Sequence, residues 1–307
     1  MNEATPPLAL TGGTGFVGSA LIELAIGRGI SVRALARSEQ PPRAGVTWIR
    51  GDLADTAALE RLVAGTQAVL HLAGVVSAPD PARFHQGNVE GTEALVHAAQ
   101  AGGVSRFVFV SSLSAREPAL SAYGRSKFHA EELVQVSGLD WTIVRPPAIY
   151  GPRDREMLEL FKAARWGVIP MPPAGRASMI HVMDLARVLL ALVPASPDVS
   201  QRLFEPDDGR AGGWSHREMA QAIGAAVGRR VRVPHLPRAA LLLAARLDGM
   251  VRGTGAKLTA DRVGYMTHPD WVCRPEKAPP ADLWRPEIAT GDGLAATAAW
   301  YRAKGWL

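Results

Sequence analysis

The sequence predicts an α/β fold in which a doubly wound parallel sheet is joined to a smaller, mixed C-terminal lobe. Two observations predict it. Short apolar runs alternate with longer helical patterns through the first half of the chain, which is the pattern of repeated βαβ units. The apolar runs are rich in Val, Ile, Leu and Ala, as is typical of parallel strands covered by helices on both faces. A chain of 307 residues can form one such domain with an additional lobe.

The predicted elements follow one another along the N-terminal half. Strands are predicted at Leu8–Thr11, Ser31–Ala36, Val46–Ile49, Ala68–Ala73, Arg106–Ser111 and Trp141–Arg145. Helices are predicted at Gly15–Arg28, Thr56–Ala64, Val89–Ala101 and Ala122–Ser137. Beyond residue 145, clusters of Pro and Gly indicate loops and a change of lobe, although Ile180–Pro194 is predicted to return to the sheet as a strand and a helix. We therefore expect a cofactor domain over residues 1–150 and 177–205, and a substrate lobe over 151–176 and 206–307.

Composition limits the compartment and the chemistry. A single cysteine, Cys273, excludes an intrachain disulfide and a thiolate metal cluster, and no metal site is predicted. This cysteine usage fits a reducing compartment. Residues 1–8 lack the basic start and apolar run of a signal peptide, and no segment approaches the roughly 18 apolar residues of a membrane span. We expect a cytoplasmic protein.

The net charge of +5 is concentrated in residues 228–262. Eight basic residues stand there against two aspartates, which gives this segment a charge of +6. Such a segment can contact anionic lipid at the inner face of a membrane, nucleic acid or an acidic substrate, or can be a solvated surface. Nucleic-acid binding is not expected, because no stacking aromatic residues interleave the arginines. Peripheral membrane contact and a solvated surface both stay open.

A glycine-rich turn, TGGTGFVG at residues 11–18, follows the first strand and opens the first helix. Dinucleotide pyrophosphate needs closely approaching backbone amides and the positive end of a helix. Gly12 permits the tight turn, Gly15 lets the backbone approach the phosphates, and Gly18 lets the helix lie close to the strand. The placement predicts a Rossmann-type dinucleotide-binding domain. Its cofactor contacts are predicted at Thr11, Gly12, Thr14, Gly15, Phe16, Val17 and Gly18.

The end of the second strand bears on the choice of cofactor. Domains that bind NAD place an acid there, about 20 residues after the glycines, against the ribose 2′-hydroxyl. Here the strand is followed by Arg37, and no acid occurs before Glu39. Because a guanidinium can pair with a 2′-phosphate, NADP(H) is favoured over NAD(H). Asp52 and Leu53 are predicted beside the adenine, and the alternative that Asp52 caps the helix near Thr56 stays open.

Tyr123 and Lys127 lie at positions i and i+4 of a predicted helix, hence on one face. A nearby ammonium favours the phenolate, so that the tyrosine can exchange a proton near neutral pH. The lysine can also hold the nicotinamide ribose. Upstream, a strand ends at Ser111 and Ser112, where a hydroxyl can hydrogen-bond a substrate oxygen. Together these residues predict proton exchange at a carbonyl or an alcohol.

These features resemble the short-chain dehydrogenase/reductase superfamily, in its extended, epimerase/dehydratase-like branch, over residues 8–200. The resemblance includes HLAG at 71–74, NVEGT at 88–92, RPPAIYGP at 145–152 and IHV at 180–182 followed by Asp184. It implies a catalytic triad of Ser112, Tyr123 and Lys127, with the choice of Ser112 dependent on register. It also implies cofactor contacts at Leu72, Ala73, Gly74, Pro146, Ala148 and Ile149. Sugar dehydratases carry an Asp-Glu pair where this chain has Leu113 and Ser114, which argues against a dehydratase.

The resemblance implies an NAD(P)-dependent oxidoreductase acting on CH–OH/C=O by hydride transfer. The segment SAREPALSAYGRSK and the tryptophan-containing C-terminal region are similar to steroid dehydrogenases, to the reductase-like accessory subunit of complex I and to bacterial ceramide reductases. The implied substrate is a small hydrophobic ketone, foremost the 3-oxo group of an oxo-ceramide or sphingoid lipid. Two alternatives stay open: a nucleotide-sugar epimerase with bound NAD, and a non-catalytic NADPH-binding accessory protein. A homodimer is usual among relatives, and it also stays open.

The segment Leu236–Val251 predicts an amphipathic helix. Projected at about 100° per residue, one face is apolar. Its members are Ala239, Ala240, Leu243, Ala244, Leu247, Met250 and Val251. The opposite side carries Arg238, Arg246, Asp248 and Arg252, with Leu241 and Leu242 among them. An ordinary packed helix and an interfacial helix beside a lipid-accepting pocket both fit this pattern.

Overall fold

The computed structural model describes residues 6–78, 80–256 and 258–307, and these form two compact units. Within the described residues, unit 1 comprises the chain up to Arg145, together with Leu185–Phe204 and Pro279–Trp284. Unit 2 comprises Pro146–Asp184, Glu205–Ala278 and Arg285–Leu307. The functional division into a cofactor domain and a substrate lobe stays a prediction.

The elements are numbered in chain order. The strands are β1 (Leu8–Thr11), β2 (Val32–Ala36), β3 (Val46–Arg50), β4 (Ala68–His71), β5 (Arg106–Val110), β6 (Asp140–Val144), β7 (Ala148–Tyr150), β8 (Arg176–Ala177), β9 (Met179–His181), β10 (Arg202–Phe204), β11 (Trp214–Ser215) and β12 (Asp270–Trp271). The α-helices are α1 (Phe16–Gly27), α2 (Thr56–Val63), α3 (Ala82–Phe84), α4 (Gly91–Ala101), α5 (Ala122–Val136), α6 (Leu158–Arg165), α7 (Val182–Ala191), α8 (His216–Ala226), α9 (Arg238–Arg252), α10 (Ala260–Met266) and α11 (Thr290–Ala303). A π-helical turn spans His85–Glu90, and 3₁₀ turns span Leu113–Arg116, Pro118–Leu120, Gly253–Gly255 and Pro275–Lys277.

Unit 1 contains a seven-stranded sheet in the order β3-β2-β1-β4-β5-β6-β10. All of its pairings are parallel. The strand order reverses beside β1, whose Thr11 is in register with His71 of β4. Ligands of open α/β sheets bind at such a switch point, beyond the carboxyl ends of the strands. The predicted fold class is confirmed.

Helices cover the sheet of unit 1. Buried residues of α2, α4 and α5 form one core cluster with alternate strand residues such as Phe107 and Phe109. The intervening residues, among them Leu10 and Val108, are also buried. The strands are therefore covered on both faces, which explains their nearly continuous apolar sequences. This packing fixes the strand ends that carry the candidate site.

Unit 2 has its own core and two small sheets. β11 and β12 flank β8 in a mixed three-stranded sheet, antiparallel and parallel respectively, and β7 pairs with β9. The core includes Tyr150, Phe161 and Tyr301, with Trp300 and Trp306 packed against it. The C-terminal tryptophans at 300 and 306 are thus part of a packed aromatic cluster.

Helix α9 of unit 2 packs through a narrow face. Leu241 and Ala245 are buried in a small cluster with Val263 of α10, and Leu242 is packed against that cluster. The apolar face predicted for this helix lies on its exposed side instead. No helix of the described residues is long and apolar enough to cross a membrane.

Candidate active site

The glycine turn connects β1 to α1 in unit 1. Gly12 has a φ of +73°, a backbone conformation that residues other than glycine rarely adopt. A Cβ atom on Gly18 would lie 2.1 Å from the carbonyl oxygen of Gly12, and one on Gly12 would lie 2.8 Å from the amide nitrogen of Ala73. The turn therefore requires glycine at both positions.

The N-terminus of α1 fits an anionic group. Within the described chain, its N-cap residue Gly15 makes no side-chain capping hydrogen bond, and the first turn of the helix holds no acid. The first amides of a helix lack partners in the helix itself, and they carry partial positive charge. Thr14 is exposed, and Phe16 and Val17 are partly buried. This cradle of amides suits the pyrophosphate of a dinucleotide.

A buried hydrogen-bond chain joins the ends of β1 and β4. The Thr11 hydroxyl oxygen accepts hydrogen bonds from the amides of Leu72 (3.2 Å) and Ala73 (3.1 Å), and lies 2.6 Å from Nδ1 of His71. Nε2 of His71 lies 2.9 Å from the hydroxyl of Thr92, which itself donates to the carbonyl oxygen of Asn88. These partners place the imidazole proton on Nε2. Thr11 therefore locks the turn to the neighbouring strand with its hydroxyl already satisfied.

His71 stays neutral in this chain. Burial, and to a smaller extent the positive charge of Lys127, lower the pKa of His71 to about 3. A neutral imidazole can accept from Thr11 and donate to Thr92 at the same time. The network thus positions the switch point of the sheet and does not titrate near neutral pH. The sequence reasoning did not assign this role to His71 or Thr92.

Asn88, in the π-helical turn, fixes the segment that follows β4. Its amide group exchanges two hydrogen bonds with the backbone of Val75 and donates a third to the hydroxyl of Ser126 on α5. A Cβ atom on Gly74 would lie 2.9 Å from Oδ1 of Asn88 and 3.4 Å from Nζ of Lys127. Gly74, predicted as a cofactor contact, therefore lies directly beside the lysine.

The serines after β5 have different environments. Ser112 begins the 3₁₀ turn at Leu113–Arg116, and its Oγ accepts from the amide of Ser114 at 3.1 Å. Because that contact uses a lone pair, the hydroxyl proton of Ser112 remains available for donation. The hydroxyl of Ser111 is buried and has no hydrogen-bond partner among the described residues. The two neighbours are thus chemically distinct, and only Ser112 is partly exposed.

Gly124 lets α5 approach this turn. A Cβ atom there would lie 2.6 Å from the carbonyl oxygen of Ser114. Ser121 caps the helix by accepting from the Gly124 amide at 2.9 Å. Tyr123, which directly precedes Gly124, is partly buried, and its ring centroid lies 5.9 Å from that of Phe84. The first turn of α5 therefore holds Tyr123 close to the segment that carries Ser112.

Lys127 is buried one turn further along α5. Its Nζ donates to the carbonyl oxygen of Val110, at the end of β5, over 2.9 Å, and lies 4.8 Å from the ring centroid of Phe109. Burial lowers the pKa of Lys127 and the negative charge of Glu131 partly offsets this effect, so that the pKa is about 8. The ammonium is therefore charged at neutral pH and close to its titration range. The structure thus brings Ser112, Tyr123 and Lys127 to the carboxyl end of β5.

Glu131, which the sequence reasoning missed, lies one turn beyond Lys127. It is 2% exposed and forms a two-point ion pair with Arg145: Nε to Oε1 at 2.8 Å and Nη2 to Oε2 at 2.5 Å. A buried carboxylate at this spacing stabilises the lysine's positive charge. Its signal in the sequence is an acid four residues after the lysine, followed by an arginine at the end of the next strand.

Replacing Glu131 with glutamine is expected to remove the carboxylate charge that pairs with Arg145 and to lower the pKa of Lys127 further. Loss of one partner from a buried ion pair destabilises by about 3–5 kcal/mol. The alkaline limb of the activity profile should also move to lower pH, because less of the lysine is charged above neutrality. Denaturant unfolding and the pH dependence of kcat/KM measure the two effects.

The neighbouring Glu132 provides the matched control for this prediction. Its side chain is 53% exposed and pairs with His129, so Glu132→Gln should change neither quantity. A Glu131→Gln variant that is destabilised but keeps the wild-type alkaline limb would show that Glu131 has only a structural role.

A surface cavity of about 460 Å³ lies at the other side of the switch point, by β2 and β3. It is lined by Arg37, Arg50, Gly51, Asp52, Asp55 and Arg61. Arg50 on β3 is the register partner of Ala36 on β2, and Arg37 is the residue that follows Ala36 in the chain. Three guanidinium groups thus border one cavity, of which the sequence reasoning named only Arg37.

Asp52 does not cap the following helix. The N-cap of α2 is Asp55, whose carboxylate accepts from the amide of Ala58. Asp52 is exposed and accepts from the amide of Ala54 at 2.9 Å. The alternative that Asp52 caps the helix is therefore wrong, because Asp52 lies three residues before the actual N-cap residue, Asp55. Leu53 is partly buried beside it.

The remaining predicted contacts belong to unit 2. Ala148 and Ile149 lie on β7, in register with Met179 and Ile180 of β9, and Pro146 precedes them. All three are partly buried or buried within the chain. Their predicted contact with the nicotinamide stays a prediction.

Known proteins share the sequence and the fold. A profile of the NAD dependent epimerase/dehydratase family matches residues 8–201. Ceramide reductase of Caulobacter vibrioides (strain NA1000 / CB15N) is 36% identical over 314 residues, which cover 99% of this chain and 97% of that protein. A 4-hydroxy-2-methyl-3-oxo-4-farnesyl-3,4-dihydroquinoline-1-oxide ketoreductase of Stigmatella aurantiaca is 33% identical over 215 residues, 61% of this chain and 64% of the relative. A 3-beta-hydroxysteroid dehydrogenase of Mycolicibacterium neoaurum is 36% identical over 34% of this chain and 31% of the relative. The mitochondrial NADH dehydrogenase [ubiquinone] 1 alpha subcomplex subunit 9 of Dictyostelium discoideum is 27% identical over 63% of this chain and 57% of the relative.

Among solved structures, MoeE5 in complex with UDP-glucose and NAD superimposes with a TM-score of 0.76. The superposition covers 97% of this chain and 99% of that one, at 22% sequence identity. At this identity the likeness establishes the fold alone. The resemblances predicted from the sequence motifs are confirmed by these matches.

Proposed function

Because this chain belongs to the NAD-dependent epimerase/dehydratase family, within the extended short-chain dehydrogenases/reductases, we propose that it is an NADPH-dependent reductase of a hydrophobic ketone. The favoured substrate is the 3-oxo group of an oxo-ceramide or sphingoid lipid. The observation that carries the reductase chemistry is the buried Lys127, one helical turn from Tyr123 and bonded to the end of β5. The near full-length similarity to a ceramide reductase supports the lipid class.

The proposed mechanism assigns one task to each residue of the triad. When bound, the reduced nicotinamide supplies the hydride to the carbonyl carbon. Ser112 donates its free hydroxyl proton to the carbonyl oxygen and so stabilises the negative charge that develops there. Tyr123 transfers its phenolic proton to that oxygen, which completes the alcohol.

Lys127 acts on Tyr123 through its charge. An ammonium near the phenol favours the phenolate and eases release of the proton. Because the pKa of Lys127 is lowered to about 8, it can also pass on a replacement proton near neutral pH. Glu131 favours the charged state of the lysine, and Arg145 holds the Glu131 carboxylate in place through its ion pair. Both are positioning residues.

The glycine turn and the adjacent strand would hold the dinucleotide. The amide of Gly15 donates to the carbonyl oxygen of Gly12, so the amides of Thr14, Phe16 and Val17 would bind the pyrophosphate. Ala73 and Gly74 would line its path toward Lys127. At the adenosine end, Arg37, Arg50 and Arg61 border one cavity, which suits the dianionic 2′-phosphate of NADPH. Asp52 and Leu53 are proposed beside the adenine.

Reversing the charge of Arg37 is expected to weaken NADPH binding about 10- to 100-fold, because charge-assisted hydrogen bonds contribute about 1.5–3 kcal/mol. NADH binding should change much less in Arg37→Glu, since NADH has no 2′-phosphate. Fluorescence titration of both cofactors measures the two dissociation constants. Arg43, exposed near the same sheet edge but outside the cavity lining, gives the control variant Arg43→Glu. Equal losses for both cofactors in Arg37→Glu would contradict the assignment.

The function itself is tested with two substrates side by side. Purified protein is incubated with NADPH and 3-oxosphinganine or an oxo-ceramide in mixed micelles, and separately with NAD and UDP-glucose. The proposal predicts NADPH oxidation with formation of the 3-hydroxy lipid, and no epimerised sugar. Sugar epimerisation would establish the epimerase alternative, and tight NADPH binding without turnover of any ketone would favour an accessory protein.

A further inference from the structure

Helix α9 exposes a continuous apolar face. Projected at about 100° per residue, this face spans about 140° and contains no charged residue. Its large members are exposed: Leu243 by 58%, Leu247 by 53%, Met250 by 83% and Val251 by 84%. Ala239, Ala240 and Ala244 lie between them and are also exposed. A helix of a soluble domain ordinarily turns such a face toward its core.

Among the described residues, α9 does not use this face for packing. α9 is anchored from the other side, where Leu241 and Ala245 are buried with Val263 of α10. Leu236, Leu242, Leu258 and Met266 complete that cluster. The exposed face therefore does not contribute to the packing of unit 2, and substitutions there should leave the cluster around Leu241 and Ala245 intact.

Positive charge adjoins the apolar face. Residues 229–252 carry six arginines against one aspartate, a net charge of +5. Arg252 pairs with Asp248 at 3.1 Å, whereas Arg229, Arg230, Arg232, Arg238 and Arg246 are exposed. In the projection, Arg246 borders the apolar face directly. Apolar residues on one face and arginines at its edge are the composition of helices that lie in the headgroup region of a bilayer.

An exposed tryptophan lies beside the basic segment. Trp166 follows α6 and is 89% exposed. Its neighbour Gly167 accepts a hydrogen bond from the amide of Arg232, and Val168 forms a bridge with Arg232. Tryptophan is enriched at membrane–water interfaces because its ring is apolar and its indole N–H is polar.

We propose that unit 2 docks onto an anionic lipid bilayer through α9. The apolar face of α9 enters the headgroup and upper acyl region, and the arginines of residues 229–246 contact the anionic headgroups. The inference does not depend on the reductase activity, since it concerns binding to a surface without substrate or cofactor.

Charge complementarity favours lipid over a second copy of this chain. A two-fold dimer through α9 would place the same patch on both partners, so a segment of charge +5 would face its own copy. Anionic lipid instead offers charge of the opposite sign to the arginines and a hydrocarbon layer to the apolar face.

The experiment is flotation of the purified full-length protein with vesicles of phosphatidylcholine alone or mixed with phosphatidylglycerol. The wild type should float with the mixed vesicles, and 0.5 M salt, on the order of a 4 Å Debye length, should reduce the bound fraction. Leu247→Glu/Met250→Glu should reduce binding at least tenfold. Arg238→Ser/Arg246→Ser should reduce it while leaving the apolar face unchanged. Val136→Glu places one negative charge on α5, at an apolar residue that is 81% exposed, and should bind like the wild type.

Thermal unfolding and sedimentation velocity of each variant complete the test. Supporting results are variants that stay folded and keep the wild-type sedimentation coefficient while losing flotation. Absence of flotation of the wild type, or an equal loss in Val136→Glu, overturns the proposal. So does a wild-type dimer that Leu247→Glu/Met250→Glu dissociates, because the face would then bind a second copy.

Discussion

Tyr123→Phe is expected to lower kcat for ketone reduction by about 10²–10⁴-fold, the range ordinarily contributed by a positioned acid or base. The substitution removes the phenolic proton and keeps the ring, which packs near Phe84. The dissociation constant of NADPH should therefore stay close to the wild-type value. Steady-state kinetics with the lipid ketone and a fluorescence titration with NADPH measure the two quantities.

Ser111→Ala is the companion control for this variant. It removes a buried hydroxyl that has no partner among the described residues, so turnover should persist and stability should not fall. Ser112→Ala should lower kcat, because it removes the proposed donor to the carbonyl oxygen. Full activity of Tyr123→Phe would remove the tyrosine from the mechanism, and a loss in Ser111→Ala without a loss in Ser112→Ala would reassign the serine.

Gly18→Ala is expected to weaken dinucleotide binding by more than about 100-fold and to destabilise the protein by about 1–3 kcal/mol, the range typical of overpacking. The added methyl group would lie 2.1 Å from the carbonyl oxygen of Gly12 and 2.8 Å from Cα of Gly13. Both neighbours are backbone atoms of the turn itself. Relief of the clash therefore requires α1 to move away from the turn, and its N-terminal amides move with it.

The same helix offers a matched control at its other end. A Cβ atom on Gly27 would meet nothing within 4 Å. Gly27→Ala should therefore leave cofactor binding unchanged and stabilise the protein by up to about 1 kcal/mol, the difference in helix propensity. Isothermal titration with NADPH and denaturant unfolding measure both variants. Wild-type affinity in Gly18→Ala would contradict the assignment of the turn as the pyrophosphate cradle.

The sequence was sufficient to predict most of unit 1. Fully buried parallel strands have unbroken apolar sequences, and the six predicted strands occur with ends shifted by at most two residues. β10 escaped prediction because it has only three residues, Arg202–Phe204, and joins the sheet edge by pairing with β6. A strand with so few apolar residues cannot be distinguished from a loop in the sequence.

The parts of the site that depend on contacts between residues distant in the sequence could not be predicted. Motifs identified the glycine turn, Tyr123 and Lys127, since their spacing along the chain reflects local geometry. The pairing of Glu131 with Arg145 and the chain from Thr11 through His71 to Thr92 depend on which strands become neighbours. Only the folded structure brings these residues together.

The orientation of α9 illustrates a different limit. A helical projection locates an apolar face, but it does not say whether that face is the packed one. Leu241, which the projection places among the charged residues, is buried, whereas Met250 of the apolar face is exposed. The partner helix α10 decides the outcome, since its Val263 packs on the narrower side.

The central claim is that the chain transfers hydride from NADPH to a lipid ketone. Its most direct test uses NADPH with deuterium at both C4 positions, 3-oxosphinganine or an oxo-ceramide in mixed micelles, and mass spectrometry of the product. One deuterium on the carbon that bears the new hydroxyl, absent from the Tyr123→Phe reaction, is the predicted result. A reduced lipid without deuterium, or no reduced lipid from protein that binds NADPH, would contradict the claim.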